Sequence, residues 1–254
     1  MNLVDVIKYF ETKFPKELAY DWDNVGIQVG TLNIVAKKVL ITLDVTKEVV
    51  KEAIDQKVNM ILSHHPLLFN PVDKIIFDTP RGWILKNLIK HNITVYSAHT
   101  NYDLAEGGMN DEFAKILGLK NVGLLDEIDG IGRYGDIERI NIKDFIRVLK
   151  KKLNLETVKV IGSDDKEIER IGISGGSGSK HMYQAKFRGC DVYLTGDVTY
   201  HTALDAQSVG LTVIDIGHHA EIIFVDAVTE DLSKQFKEIE FIKSTVDTNP
   251  YKNY

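Results

Sequence analysis

Val39-Leu40-Ile41-Thr42-Leu43 runs through Asp44-Val45-Thr46-Lys47-Glu48 into a helical stretch over 49–56, and then into Met60-Ile61-Leu62-Ser63-His64-His65. The two short apolar runs read as strands, and the segment after the first carries helix N-cap chemistry. A helix over about 81–90 and a third strand, Ile93-Thr94-Val95-Tyr96, continue the rhythm. Strands alternating with helices predict a parallel sheet with crossover helices. Upstream, Val4, Ile7, Phe10 and Phe14 fall at helical spacing and end near Pro15. The turn-forming stretch Tyr20–Asn24 then leads into Val25, Ile27 and Val29, which alternate as a short strand would.

The same order returns downstream. Arg170-Ile171-Gly172-Ile173, Val192-Tyr193-Leu194 and Leu211-Thr212-Val213-Ile214 read as strands, with helical segments over 181–187, 199–206 and 221–236. One offset of 132 residues pairs Thr42 with Ser174, Met60 with Val192 and Ser63 with Thr195 without a gap. The third strands, at Thr94 and Thr212, pair after a connection shorter by about 14 residues in the second half. The expected fold is therefore α/β: two similar domains, each a mainly parallel sheet with crossover helices. Turn formers at Asp129-Gly130-Ile131-Gly132 and Tyr134-Gly135-Asp136 place the boundary within 121–136, giving domains of 1–125 and 126–254. The segment from about 236 is expected to pack back on the first.

At 254 residues and 44% hydrophobic, the chain is long and apolar enough to fold as one or two domains, which excludes disorder. The richest apolar stretch, 222–228, is short and broken by Asp226, so no membrane span is expected. No export signal is expected, since Met1-Asn2-Leu3-Val4-Asp5 has neither a basic region nor a long apolar core. A single cysteine, Cys190, excludes a disulfide framework and any multi-thiolate metal site, and suits a reducing cytoplasm. Cys190 itself reads as a small core residue. The net charge of −6 offers no general attraction to phosphate backbones, and Arg147-Val148-Leu149-Lys150-Lys151-Lys152 reads as the solvated face of an amphipathic helix.

Five of the eight histidines follow apolar strand segments: His64-His65, His99 and His218-His219. Ligand sites of open parallel sheets lie beyond the carboxyl ends of the strands, so residues far apart in sequence can converge there. Imidazole with carboxylate is the donor set for Zn, Fe, Mn or Ni. Neighbouring histidines on an extended strand point to opposite sides, so His64 and His65 suit two neighbouring ions better than one. His218 and Glu221, three apart at a helix start, share a face. The competing reading of any single pair is a capped or surface pair, and His91, His181 and His201 read as surface or helix residues. Ser174-Gly175-Gly176-Ser177-Gly178-Ser179 reads either as an anion nest or as a strand-to-helix turn. Asp197 reads either as bordering the cleft or as capping the next helix.

Trp22-Asp23-Asn24-Val25-Gly26, Ser63-His64-His65-Pro66-Leu67-Leu68-Phe69 and Ala98-His99-Thr100-Asn101-Tyr102-Asp103 together resemble signatures of the NIF3-like family, the GTP cyclohydrolase 1 type 2 homologues. The Ser/Gly run, Thr195-Gly196-Asp197 and Gly217-His218-His219-Ala220-Glu221 follow in the family's order. The resemblance implies two divalent metal ions per chain at the interface of the two domains. His65 and Asp103 would hold one ion, His64 and His218 the other, with Glu221 bridging. Many members place the glutamate four residues after the histidine and this chain three, which leaves His218 or His219 as the ligand; helical geometry favours His218. His99 is assigned to the cleft as a proton shuttle. The resemblance further implies a homo-oligomer, a ring-shaped hexamer. The activity it implies is a metal-dependent hydrolase on a nucleotide-like substrate, under the label of GTP opening to dihydroneopterin triphosphate. The alternative is a non-catalytic ring that binds nucleic acid such as DNA, or a metal-handling or regulatory protein.

Overall fold

The structure, a computed structural model, describes residues 1–253. The chain forms two compact units, Met1–Glu106 with Phe224–Thr248, and Gly107–Ile223 with the residues after Thr248.

The first unit opens with α1 (Leu3–Lys13), whose Leu3, Val6, Ile7 and Phe10 are buried, and continues through β1 (Gly26–Val29) and β2 (Lys38–Thr42). Thr46 then accepts a hydrogen bond from Val49 N and starts α2 (Lys47–Asp55), a cap that contributes about 1 kcal/mol. β3 (Met60–Ser63), α3 (Pro80–Lys90), β4 (Thr94–Ser97) and the short α4 (Thr100–Leu104) follow. β2, β3 and β4 are parallel and buried on both faces, as their unbroken apolar character requires.

The second unit begins with α5 (Met109–Leu117), then β5 (Lys120–Leu124) and β6 (Arg133–Asn141), which pair antiparallel. After α6 (Ile142–Lys152) and the edge strand β7 (Lys159–Ile161) come β8 (Glu167–Ile173), α7 (Met182–Phe187), β9 (Val192–Thr195), α8 (Tyr200–Ser208) and β10 (Thr212–Asp215). The chain returns to the first unit through α9 (Ile223–Gln235) and β11 (Glu240–Lys243). β11 pairs parallel with β2, completing a five-stranded sheet of order β1-β4-β3-β2-β11. Among the described residues no helix is long and apolar enough to cross a membrane.

The internal repeat is real at the level of register. Val39, Leu40 and Ile41 pair with Met60, Ile61 and Leu62; Ile171, Gly172 and Ile173 pair with Val192, Tyr193 and Leu194 at the same offset. Met60 pairs with Thr94 as Val192 pairs with Thr212. Even the bond beyond the strands repeats, Ala98 N to Ser63 O and Ile216 N to Thr195 O.

Four expectations need correction. The second sheet, β5-β6-β8-β9-β10-β7, is mixed: only β8-β9-β10 are parallel, and the other three pairings are antiparallel. The turn formers over 129–136 do not separate units. Those over 129–132 close the β5–β6 hairpin, where Leu125 N and Asp126 N bond Gly132 O and Ile131 O, and those over 134–136 lie within β6, so the divide falls at Glu106/Gly107 instead of 125/126. The return to the first unit starts at Phe224, earlier than 236, because α9 buries Phe224, Val225, Val228 and Leu232. Finally, β1 exposes Ile27 and buries Gln28, the reverse of its apolar alternation. Gln28 is satisfied there by Asn24 O at 2.7 Å and Leu68 N at 3.1 Å.

Candidate metal centre

In the first unit, β3 and β4 end side by side, and Ser63 and Ser97 lock the ends through hydroxyls 2.8 Å apart. His64 N and His65 N continue the ladder onto Thr42 O and Leu43 O. Despite being adjacent, His64 and His65 do not point apart. The strand ends at Ser63, and their ring centroids lie 5.0 Å from each other, with His99 5.3 and 5.7 Å away. One donor nitrogen from each of the three histidines falls within 4.8 Å of the others. Asp103, buried on α4, places Oδ1 3.5 Å from His64 Nε2.

Each ring is oriented through Nδ1. His64 Nδ1 is 2.8 Å from Ala98 O, His65 Nδ1 2.7 Å from Asp44 Oδ1, and His99 Nδ1 3.0 Å from both oxygens of Asp23. A carbonyl or carboxylate oxygen only accepts, so in each of these bonds Nδ1 is the donor. Burial pushes the Asp23 carboxyl up, but His99 and the N–H and hydroxyl of Thr100 outweigh it and bring it down to about 2. Asp23 is thus ionised at neutral pH.

The second unit holds His218 and Glu221. They lie on a 3-10 turn, His218–Ile222, not on the regular helix expected there. Three residues per turn stack positions i and i+3, and His218 Nε2 lies 3.2 Å from Glu221 Oε2. His218 Nδ1 bonds Asp197 Oδ2 at 2.6 Å, repeating the first unit's pattern. Asp197 has a positive φ of 52°, a backbone conformation uncommon outside glycine that aims its carboxylate. A Cβ on Gly176, at φ +56°, would stand 2.5 Å from Glu221 Oε1, so the Ser/Gly turn closes tightly over this carboxylate.

The family described as Duf34/NIF3 (NGG1p interacting factor 3) matches residues 1–250. The chain belongs to the Duf34/NIF3 family. A Streptococcus pneumoniae relative named GTP cyclohydrolase 1 type 2 homolog is 38% identical over 259 residues, 97% of each chain. The solved structure of a Bacillus cereus protein related to NIF3 superposes with a TM-score of 0.95 at 27% identity, covering 100% of this chain and 99% of that one. The Staphylococcus aureus hypothetical protein SA1388 gives a TM-score of 0.94 at 31% identity, with the same coverage.

In this Duf34/NIF3 chain the sequence singles out the histidines and leaves Asp197 as a cleft or capping residue, but gives no sign that Asp23 and Asp44 orient imidazoles. Asp23 and Asp197 lay inside quoted motifs, and Asp44 follows β2 ahead of α2; each has the ordinary look of a turn or cap residue. The Ser/Gly run joins β8 to the turn before α7 and turns three of its N–H groups inward. Ser174, Gly175 and Gly178 spend their N–H groups on Leu194 O, Asn110 Oδ1 and Thr195 Oγ1. His181, read as a surface or helix residue, is buried and 3.0 Å from Asp126 Oδ2. Burial holds it below the usual histidine range.

Proposed function

We propose that the protein is a metal-dependent hydrolase acting on a nucleotide-like substrate, with His64, His65, Asp103, His218 and Glu221 as ligands of two divalent ions. The observation that carries this reading is the common orientation of His64, His65 and His218. Each turns Nδ1 to a protein acceptor, and the Nε2 sides of His64 and His218 face the carboxylates of Asp103 and Glu221, which makes a mixed imidazole and carboxylate donor set. Imidazole with carboxylate fits Zn, Fe, Mn or Ni, and with one cysteine no thiolate cluster competes.

Bound divalent ions supply Lewis acidity at the reacting centre. The chain's own contribution is proton handling. Asp23 holds His99 with the proton on Nδ1, so Nε2 can take a proton from an attacking water and return it to a leaving group. The nucleotide class follows from the relatives' name, GTP cyclohydrolase 1 type 2 homolog. The assembly proposed with it is a homo-oligomer of hexameric size.

Elemental analysis of purified protein tests the ligand set. The expected content is about two divalent ions per chain, reduced in His65→Ala and Glu221→Ala. Turnover of GTP and a panel of nucleotide esters by loaded protein, lost in His99→Ala without loss of metal, tests the chemistry. Loaded protein that turns over nothing in the panel overturns the hydrolase reading, and protein that takes up no metal overturns the site.

A further inference from the structure

Beside His99 the first unit carries a surface that the metal ligands do not explain. Trp22 is 59% exposed and Phe69 45% exposed, yet both belong to tightly bonded turns. Trp22 is followed by Asp23, whose carboxylate is held by His99 Nδ1, Thr100 N and Thr100 Oγ1. It is preceded by Tyr20 and Asp21, and Tyr20 N bonds Thr100 Oγ1 while its ring stacks on the indole at 5.5 Å and 27°. Phe69 follows Leu68, whose O accepts from Asn24 Nδ2 at 2.6 Å and whose N donates to Gln28 Oε1 at 3.1 Å. The buried Gln28 in β1 therefore has a purpose: it ties the Trp22 turn to the Phe69 turn.

The three rings stand as a corner. Trp22 lies 5.9 Å from Phe69 at 59°, and both meet His99 nearly edge-on, at 6.2 Å and 74° and at 6.4 Å and 80°. At these separations nothing planar fits between Trp22 and Phe69, so a ligand ring must lie against their outer faces. Fixed aromatic surface left in water is what ring stacking requires. Because the turns are already ordered, a ligand bears little of the cost of arranging them. The polar side chains nearby decide the ligand class. Asp23, Asn24 and Gln28 carry internal bonds, so apart from the exposed Asp21 this corner presents chiefly π-faces, which suits a planar ring better than a sugar.

We propose that Trp22 and Phe69 seat the planar heteroaromatic base of the substrate and present it to His99. This rests on the hydrolase reading for what happens to the base, but the stacking itself needs no metal.

The test uses the full chain carrying Trp83→Phe, which leaves Trp22 as its single tryptophan. Metal-stripped and metal-loaded protein are titrated with GMP, AMP and ribose 5-phosphate, reading Trp22 emission and calorimetric affinity. Expected is quenching by GMP or AMP in both forms and none by ribose 5-phosphate. Trp22→Ala and Phe69→Ala weaken binding on the order of tenfold, and Trp22→Phe keeps most of it. Circular dichroism melts of the variants should match the parent, since both side chains face solvent. Unchanged emission with both nucleotides, or equal affinity in Trp22→Ala, overturns the proposal. A drop in sedimenting mass of Trp22→Ala without any nucleotide effect overturns it in favour of a contact between copies. Absence of metal in a protein that still binds GMP through Trp22 would defeat the hydrolase reading alone.

Discussion

Asp44 shows how much a single side chain carries at the residue scale. It bonds His65 Nδ1 at 2.7 Å and accepts from Thr248 Oγ1 at 2.7 Å, so it both orients an imidazole and pins a distant stretch of chain. Asp44→Asn keeps the shape and removes the charge; the expected loss of metal affinity is about 10–100-fold, measured by chelator competition, with the fold intact by circular dichroism. Affinity equal to the parent would mean that Asp44 does not tune a ligand. Cys190 illustrates the opposite case, a reactive group made silent. It is buried beside Gly172 and Ala185, and burial pushes its thiol up to about 12. Folded protein at pH 8 should therefore react with a disulfide reagent only as fast as it unfolds, and at once in guanidinium. The sign for stability follows: an acid whose folded pKa lies above its unfolded value of 9.0 stabilises fully below that value and loses its contribution as pH rises toward 12. Burial raises Tyr96 and Tyr193 as well, so Cys190→Ala should lessen, and not abolish, the alkaline fall in denaturation midpoint.

At the scale of elements, what the sequence revealed depended on how each strand is covered. β2, β3, β4, β9 and β10 are buried on both faces and spell unbroken apolar runs, so period and length alone located them. β5, β6, β7 and β11 lie toward the sheet edges and mix exposed with half-buried residues, so they carry no unbroken apolar run to mark them. The site was uneven in the same way. Histidines after apolar strands stand out against their background, whereas an aspartate in a turn gains its meaning only when its partner is in place. Helix α3 shows a conflict between local and tertiary preference. Gly82 sits in its first turn, where alanine would favour the helix by up to about 1 kcal/mol. An added Cβ, however, would stand 1.8 Å from Ile76 O, a backbone atom that cannot swing away, and overpacking of this kind costs about 1–3 kcal/mol. Gly82→Ala is therefore expected to lower the urea midpoint; a raised midpoint would show that the 66–79 loop yields freely.

On the scale of the whole molecule, the two units share a parallel three-stranded frame in one register but close their sheets by different means. The second unit closes with a local hairpin, β5–β6, and with β7, all drawn from Gly107–Ile223. The first must wait for residues more than a hundred positions further on. β11 pairs with β2, Ser244 and Thr245 bond the Glu52 carboxylate, and Tyr9 packs its ring 5.3 Å from that of Phe236. Without this return, the edge of β2 and the apolar groups under α9 lie open, with Ile242 and Val246 missing from the cluster around Leu40, Val49 and Ile61. An exposed strand edge is a template for association. Fragments should therefore behave unequally. Residues 107–223 expressed alone contain all six strands of their sheet and are expected to melt cooperatively with dispersed amide resonances. Residues 1–106, which lack α9 and β11, are expected to associate and give no cooperative transition until a peptide spanning 224–248 is supplied. If 1–106 folds unaided, the C-terminal return is an ornament on a finished sheet and not part of what makes the first unit fold.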